Sequence, residues 1–173
     1  MARVIWLTGI SGAGKSTLGE RLRIEYLNKN LPVVFLDGDV VREFFENDLG
    51  YSRAERIQNV KRIAFAANLL AENGINVIVA NIAPYYEVRD FIRRKLGAKY
   101  VQVFINSSID TVSTRDVKGY YKKSSAGQMS NLIGVDDVYE TPRNPDLMID
   151  TNNSSIEESL KKILEYLAGK KYV

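Results

Sequence analysis

Five short runs in which nearly every residue is apolar punctuate the chain: RVIWLT at 3–8, PVVFL at 32–36, NVIVAN at 76–81, YVQVFI at 100–105 and DLMID at 146–150. None alternates apolar with polar residues as a strand with one solvated face would. They therefore predict central strands of a parallel sheet covered on both sides. Between these runs the period lengthens. In ERIQNVKRIAFAANLLAENG, apolar residues at 57, 60, 63, 64, 67, 70 and 71 keep the spacing of three and four that marks one helix face, and Gly74 stands where a C-cap belongs. Helices are expected near 15–29, 40–47, 53–73, 85–96 and 154–168. Strands alternating with helices imply a three-layer α/β fold, a five-stranded parallel sheet with right-handed crossovers, whose ligands collect at the carboxyl ends of the strands. Residues 115–145 break the rhythm: lysines, arginines, tyrosines and turn residues follow one another there without a period. A stretch of that length inside a compact domain is expected to be functional, here as a basic lid.

Length and composition add bounds. The 173 residues, 45% hydrophobic and 26% charged, fit one domain spanning 1–173 with no low-complexity tract. The longest apolar run, INVIVANIA, is too short for a bilayer, and MARVIWLTG lacks the apolar core of a signal peptide, so a cytoplasmic location without membrane partners is expected. Cysteine and histidine are both absent. Thiolate nucleophiles, histidine-ligated zinc and a Ser-His-Asp relay are thereby excluded, and any proton transfer falls to a carboxylate, lysine, tyrosine or water. With 24 Lys and Arg against 21 Asp and Glu, the net charge of +3 suits a small anionic substrate better than a nucleic acid.

GISGAGKS at 9–16 matches the phosphate-binding pattern G-x-x-x-x-G-K-[ST] and lies between a predicted strand and a predicted helix, the context the mechanism requires. Gly9, Gly12 and Gly14, with Ser11 and Ala13 between them, let the backbone turn its N–H groups inward, and the helix that begins with Lys15, Ser16 and Thr17 adds its positive end. Lys15 is expected on the β- and γ-phosphates of ATP, and the Ser16 hydroxyl on Mg²⁺. The NKNL segment lacks the aspartate of a guanine-reading motif, and VIVAN ends in Asn81 where a motor ATPase places an aspartate. A small-molecule kinase with a water-excluding lid remains.

LDGD ends the second predicted strand beside that loop. Asp39 is placed to orient or deprotonate an attacking hydroxyl, or to hold Mg²⁺ through water, whereas Asp37 reads as a structural helix cap. Ser52 with Glu55 forms a capping-box pattern, and Arg56 and Asn59 then share one helix face.

The runs IWLTGISGAGKST, LDGDVVR, DLGYSRAERIQNVKRIA, IAPYYEVRD, RDVKGYYKKSSAG and GVDDVYETPRNPDLMIDT, in that order, resemble the adenylylsulfate kinase family along nearly the whole chain. The resemblance implies MgATP-dependent phosphorylation of the ribose 3′-hydroxyl of adenosine 5′-phosphosulfate, as in sulfate assimilation. It assigns catalysis to Lys15, Asp39 and Lys122, the last in the KGYYKK lid, and adds Arg115 to the ATP-binding set. It assigns the acceptor to Asp39, Arg42, Tyr51, Arg56, Asn59, Ile82, Lys122 and Leu132, with Tyr51 stacking on the base and Arg42, Arg56 and Asn59 on the anionic arm. A homodimer is implied as well.

Four positions depart from the family pattern. Val40 replaces the asparagine after DGD. Ala83 replaces a serine, which excludes a phosphoserine there, and Tyr86 replaces an arginine while Arg89 keeps its place. Leu132 stands where the family has a second stacking aromatic. These changes leave a second acceptor open, another 5′-modified nucleotide such as cytidine diphosphoramidate in capsule or polysaccharide synthesis, and beyond it a nucleotide-binding module without catalysis.

Overall fold

The five apolar runs form one sheet. In the computed structural model, which describes residues 1–172, the strands are β1 (Val4–Thr8), β2 (Val33–Asp37), β3 (Asn76–Ala80), β4 (Tyr100–Asn106) and β5 (Leu147–Asp150). They pair in parallel in the order β2-β3-β1-β4-β5, with Trp6 of β1 opposite Val79 on one side and Gln102 on the other. The helices are α1 (Lys15–Asn28), α2 (Gly38–Phe44), α3 (Arg53–Glu72), α4 (Tyr86–Leu96), α5 (Ile109–Arg115), α6 (Tyr120–Ser125) and α7 (Ile156–Gly169), with one 3₁₀ turn at Gly97–Lys99.

The continuous apolar character of β1 has a direct cause, because successive side chains point to opposite faces and both faces are covered. Ile5 and Leu7 enter a core with Leu18, Leu22 and Tyr26 of α1 and Ile163 of α7. Val4 and Trp6 enter the other core with Ile63 and Ala67 of α3 and Val88 and Ile92 of α4. These two dry layers stabilise the sheet and fix the ends of β1, β2 and β3, where the chain turns into its chemistry.

The structure departs from the periodicity reading in the short helices. α2 starts at Gly38 and ends at Phe44, two residues earlier at its start than expected, because Asp37 caps it by accepting from the Asp39 backbone N–H. Helices α5 and α6 were not predicted. Each buries a single residue, Val112 and Tyr121 respectively, so neither writes an apolar stripe into the sequence. Within the irregular 115–145 stretch, Leu132 and Ile133 are also buried and anchor the segment against the first core. Among the described residues no helix is long and apolar enough to cross a membrane.

Candidate active site

At the carboxyl end of β1 the chain runs through the glycine-rich loop. Gly14 adopts left-handed backbone (φ 102°) at the N-cap of α1, a conformation that an L side chain rarely takes, and its carbonyl accepts the first helical bond, 2.9 Å from the Leu18 nitrogen. Lys15 follows at the positive end of the helix. Its buried ammonium donates to the Ile10 carbonyl at 2.7 Å, and burial, reinforced by the nearby charge of Lys118, pulls its pKa down to about 8 against the opposing pull of Asp39 and Asp37. A buried cation with only a loop carbonyl for a partner gains from an anion, and phosphate supplies one.

The end of β2 carries the two aspartates. Asp37 divides its carboxylate: Oδ1 accepts from the Asp39 N–H at 2.9 Å, and Oδ2 accepts from the Ser16 hydroxyl at 2.5 Å. Gly38 lies between them in close contact with Asn81: a Cβ there would lie 2.3 Å from the Asn81 side-chain nitrogen and would push that side chain aside. That close approach packs the aspartate turn against the end of β3, and Asn81 in turn accepts from the Ala83 N–H at 3.0 Å.

These elements surround a cavity of about 570 Å³. Ser11, Gly12, Gly14, Lys15, Ser16 and Thr17 line its donor side; Asp37, Asp39, Arg42, Tyr51, Arg56, Asn59, Ile82 and Leu132 line the rest, with Lys118 and Lys123 of the lid. On the acceptor wall the Tyr51 ring is flanked by two guanidinium groups, Arg42 at 4.6 Å and Arg56 at 5.1 Å from its centroid. Arg42 is oriented by the Leu49 and Gly50 carbonyls, both at 3.0 Å, and Arg56 by the Tyr51 carbonyl at 2.8 Å and by the Asn131 carbonyl. Burial lowers the pKa of Arg56, the mark of a desolvated cation facing a cavity without a carboxylate partner of its own. Asn59, 2% exposed, leaves its side-chain oxygen without any partner. In a buried site, such an acceptor points to a ligand donor.

Most of the residues singled out from sequence meet here, and four do not touch the cavity. Gly9 and Ala13 support the loop from behind, Ala13 being fully buried. Arg115 ends α5 and donates to the Thr151 carbonyl at 2.5 Å, on the side of the loop after β5. Lys122 is exposed and points away. Its neighbour Tyr121 turns inward to donate to the Ser11 carbonyl at 2.8 Å, and one residue further along a helix the side chain has rotated by about 100°. The lid lysine that reaches the aspartates is Lys118, whose ammonium pairs with Asp39 Oδ2.

The departures from the family pattern now have places. Val40 is exposed and outside the cavity lining. Ala83 is buried at φ 41°, and its carbonyl accepts from Arg89 at 2.7 Å. Tyr86 caps the Thr141 carbonyl at 2.9 Å. Leu132 alone of the four substituted side chains changes the wall where the acceptor base is expected, although Ala83 also borders the cavity.

For a divalent cation the donors at hand are the Ser16 hydroxyl and the carboxylates of Asp37 and Asp39; among the described residues no cluster of three or more Asp, Glu, His or Cys forms a cage. A sparse oxygen set of this kind fits Mg²⁺, which keeps water and phosphate oxygens in its shell.

The geometry is therefore that of a phosphoryl donor site facing an acceptor wall lined by guanidinium groups and an aromatic ring, and comparison with known proteins agrees. The family model described as adenylylsulphate kinase matches residues 1–150. The chain is 44% identical over 163 residues to an adenylyl-sulfate kinase of Gloeothece citriformis, covering 94% of this chain and 92% of that one. It is 45% identical over 165 residues to one from Deinococcus deserti, covering 95% and 91%. In three dimensions it is similar to the APS kinase of Mycobacterium tuberculosis solved in complex with AMPPNP and APS, with a TM-score of 0.91 at 34% identity over 96% of this chain and 98% of that one. Fold, loop, aspartate turn and extent of likeness all lead to one assignment: this chain belongs to the adenylylsulphate kinase family.

Proposed function

We propose that residues 1–173 act as a single cytoplasmic kinase domain that transfers the γ-phosphoryl group of ATP to the ribose 3′-hydroxyl of adenosine 5′-phosphosulfate, giving 3′-phosphoadenosine 5′-phosphosulfate. The observation that carries this reading is that one cavity joins Lys15 and Ser16 to Asp39 and, beyond it, to Tyr51, Arg56 and Asn59. ATP with Mg²⁺ supplies the phosphoryl group and neutralises part of its charge. On the protein side, Lys15 and the loop N–H groups hold the donor's phosphates, and Ser16 with Asp37, joined by a hydrogen bond, would provide the oxygens for the metal. Asp39 accepts and orients the acceptor hydroxyl. Because phosphoryl transfer has a loose transition state, holding the two oxygens in line contributes more than the strength of the base. Arg42 and Arg56 take the anionic arm, and Tyr51 the base.

A second reading, the same transfer to another 5′-modified nucleotide such as cytidine diphosphoramidate, has Leu132 in its favour, since this wall lacks a second ring. Product identity tests the first reading: phosphorus NMR of the reaction with MgATP and adenosine 5′-phosphosulfate is expected to show a new ribose 3′-phosphate resonance, and ATP consumption without it would contradict the assignment. The same reading includes self-association into a homodimer. Sedimentation of the free chain tests it, and a monomer at micromolar concentration would remove that part without touching the chemistry.

A further inference from the structure

We infer that Tyr121 is a positioning residue for the phosphoryl donor: its hydroxyl holds the Ser11 carbonyl from behind the glycine-rich loop and so aims the Gly12 N–H at the phosphates. The inference rests on the kinase reading above and concerns its ATP side alone. Tyr121 is the one buried residue of α6, and its hydroxyl donates to the Ser11 carbonyl at 2.8 Å across 110 positions of sequence. Ser11 and Gly12 line the cavity, whereas Tyr121 does not. The hydroxyl therefore reaches the loop from its protein side.

In a planar trans peptide the carbonyl and the next residue's N–H lie on opposite edges and point in opposite directions. Holding the Ser11 carbonyl toward Tyr121 thus turns the Gly12 N–H the other way, toward the cavity. Among the described residues that N–H has no acceptor within the chain. A backbone donor fixed in this direction, three positions ahead of Lys15, is suited to an anionic oxygen.

The hydroxyl, not the ring, is what needs explaining. A phenylalanine would fill the same space in the first core, and a buried hydroxyl is costly unless paired. Its partner is a carbonyl of the loop rather than a group of its own helix. Burial, with the charge of Asp116, pushes the hydroxyl's pKa up to about 12, so it stays a donor through the neutral range. The tether is stiff at both ends. Asp116 accepts from the Tyr121 and Lys122 backbone N–H groups, at 3.1 and 2.9 Å, and so fixes the start of α6. On the loop, a Cβ at Gly12 would lie 3.3 Å from the Val112 Cβ and 3.8 Å from the Tyr121 ring, so α5 and α6 both pack against that peptide.

The test is Tyr121→Phe, which keeps the ring and removes the hydroxyl, studied with Mg²⁺ and the β,γ-imido analogue of ATP. Titration calorimetry reads the affinity, and the amide resonance of isotope-labelled Gly12 reads the peptide itself. In the wild type the Gly12 amide proton is expected to move downfield on binding, as a donor to an anionic oxygen does. In the variant that shift is expected to fall by about half or more, and the affinity by at least about fivefold. Equal affinity in the two proteins, or weaker binding with an undiminished Gly12 shift, overturns the proposal and leaves the kinase reading intact. A Gly12 proton that does not move in the wild type overturns it without any variant, whatever the stability of Tyr121→Phe. No binding of the analogue by the wild type overturns both readings.

Discussion

The Ser16 hydroxyl donates to Asp37 Oδ2 at 2.5 Å, so the phosphate-binding loop and the cap of α2 meet at one carboxylate. Asp37 was expected to be structural, and it is, through Oδ1 and the Asp39 N–H; its second oxygen lies in the donor site. Asp37→Asn keeps a good cap but removes the charge. The magnesium concentration for half-maximal rate is expected to rise about tenfold with little change in thermal midpoint, checked by rate against free Mg²⁺. An unchanged magnesium dependence would leave Asp37 with its cap alone.

Asp39 faces the cavity from the first turn of the same helix. Asp39→Asn is expected to lower kcat by at least about a hundredfold while the KM for ATP stays within about threefold. Steady-state kinetics with both substrates varied separates the two, and a loss seen only in ATP binding would move Asp39 to the donor side.

Tyr51 is half exposed and stands on the cavity wall between two guanidinium groups. Removing one base–ring stack costs ~1–3 kcal/mol, so Tyr51→Ala is expected to raise the acceptor KM by between about five- and a hundredfold and to leave that for ATP alone. Equal effects on both substrates would show that the ring merely supports the 46–52 loop.

Arg89 is 4% exposed and donates to the carbonyls of Ala83 and Glu140, joining the turn after β3 to the 137–141 segment. Arg89→Ala leaves two buried carbonyls with fewer donors and is expected to destabilise the chain by about 2–4 kcal/mol in chemical denaturation. Arg89→Lys is expected to recover less than half, because one ammonium lacks the fork that spans both carbonyls. Full recovery would show that charge alone suffices.

How much of this was legible depended on how far each feature repeats. β1 and β3 announced themselves because both faces of each strand are buried, and α3 because twenty residues write one stripe. The glycine loop was legible because phosphate binding fixes residue types at fixed offsets. Helices α5 and α6 bury one residue each and left no pattern. The lid shows the same limit at one position: KGYYKK presents three lysines, and the choice of Lys118 over Lys122 follows from Tyr121 turning inward, a tertiary contact with Ser11 that no local spacing encodes. Pairing of Ser16 with Asp37 likewise needed β1 and β2 brought to one end of the sheet.

The central claim, an adenosine 5′-phosphosulfate 3′-kinase, is tested most directly by kcat/KM for that nucleotide against a panel of other 5′-modified nucleotides, cytidine diphosphoramidate among them, with MgATP held saturating. The account predicts that adenosine 5′-phosphosulfate leads by about tenfold or more, a gap of ~1.4 kcal/mol in transition-state binding. A cytidine compound leading by the same margin would contradict it and assign the Leu132 wall to a different base.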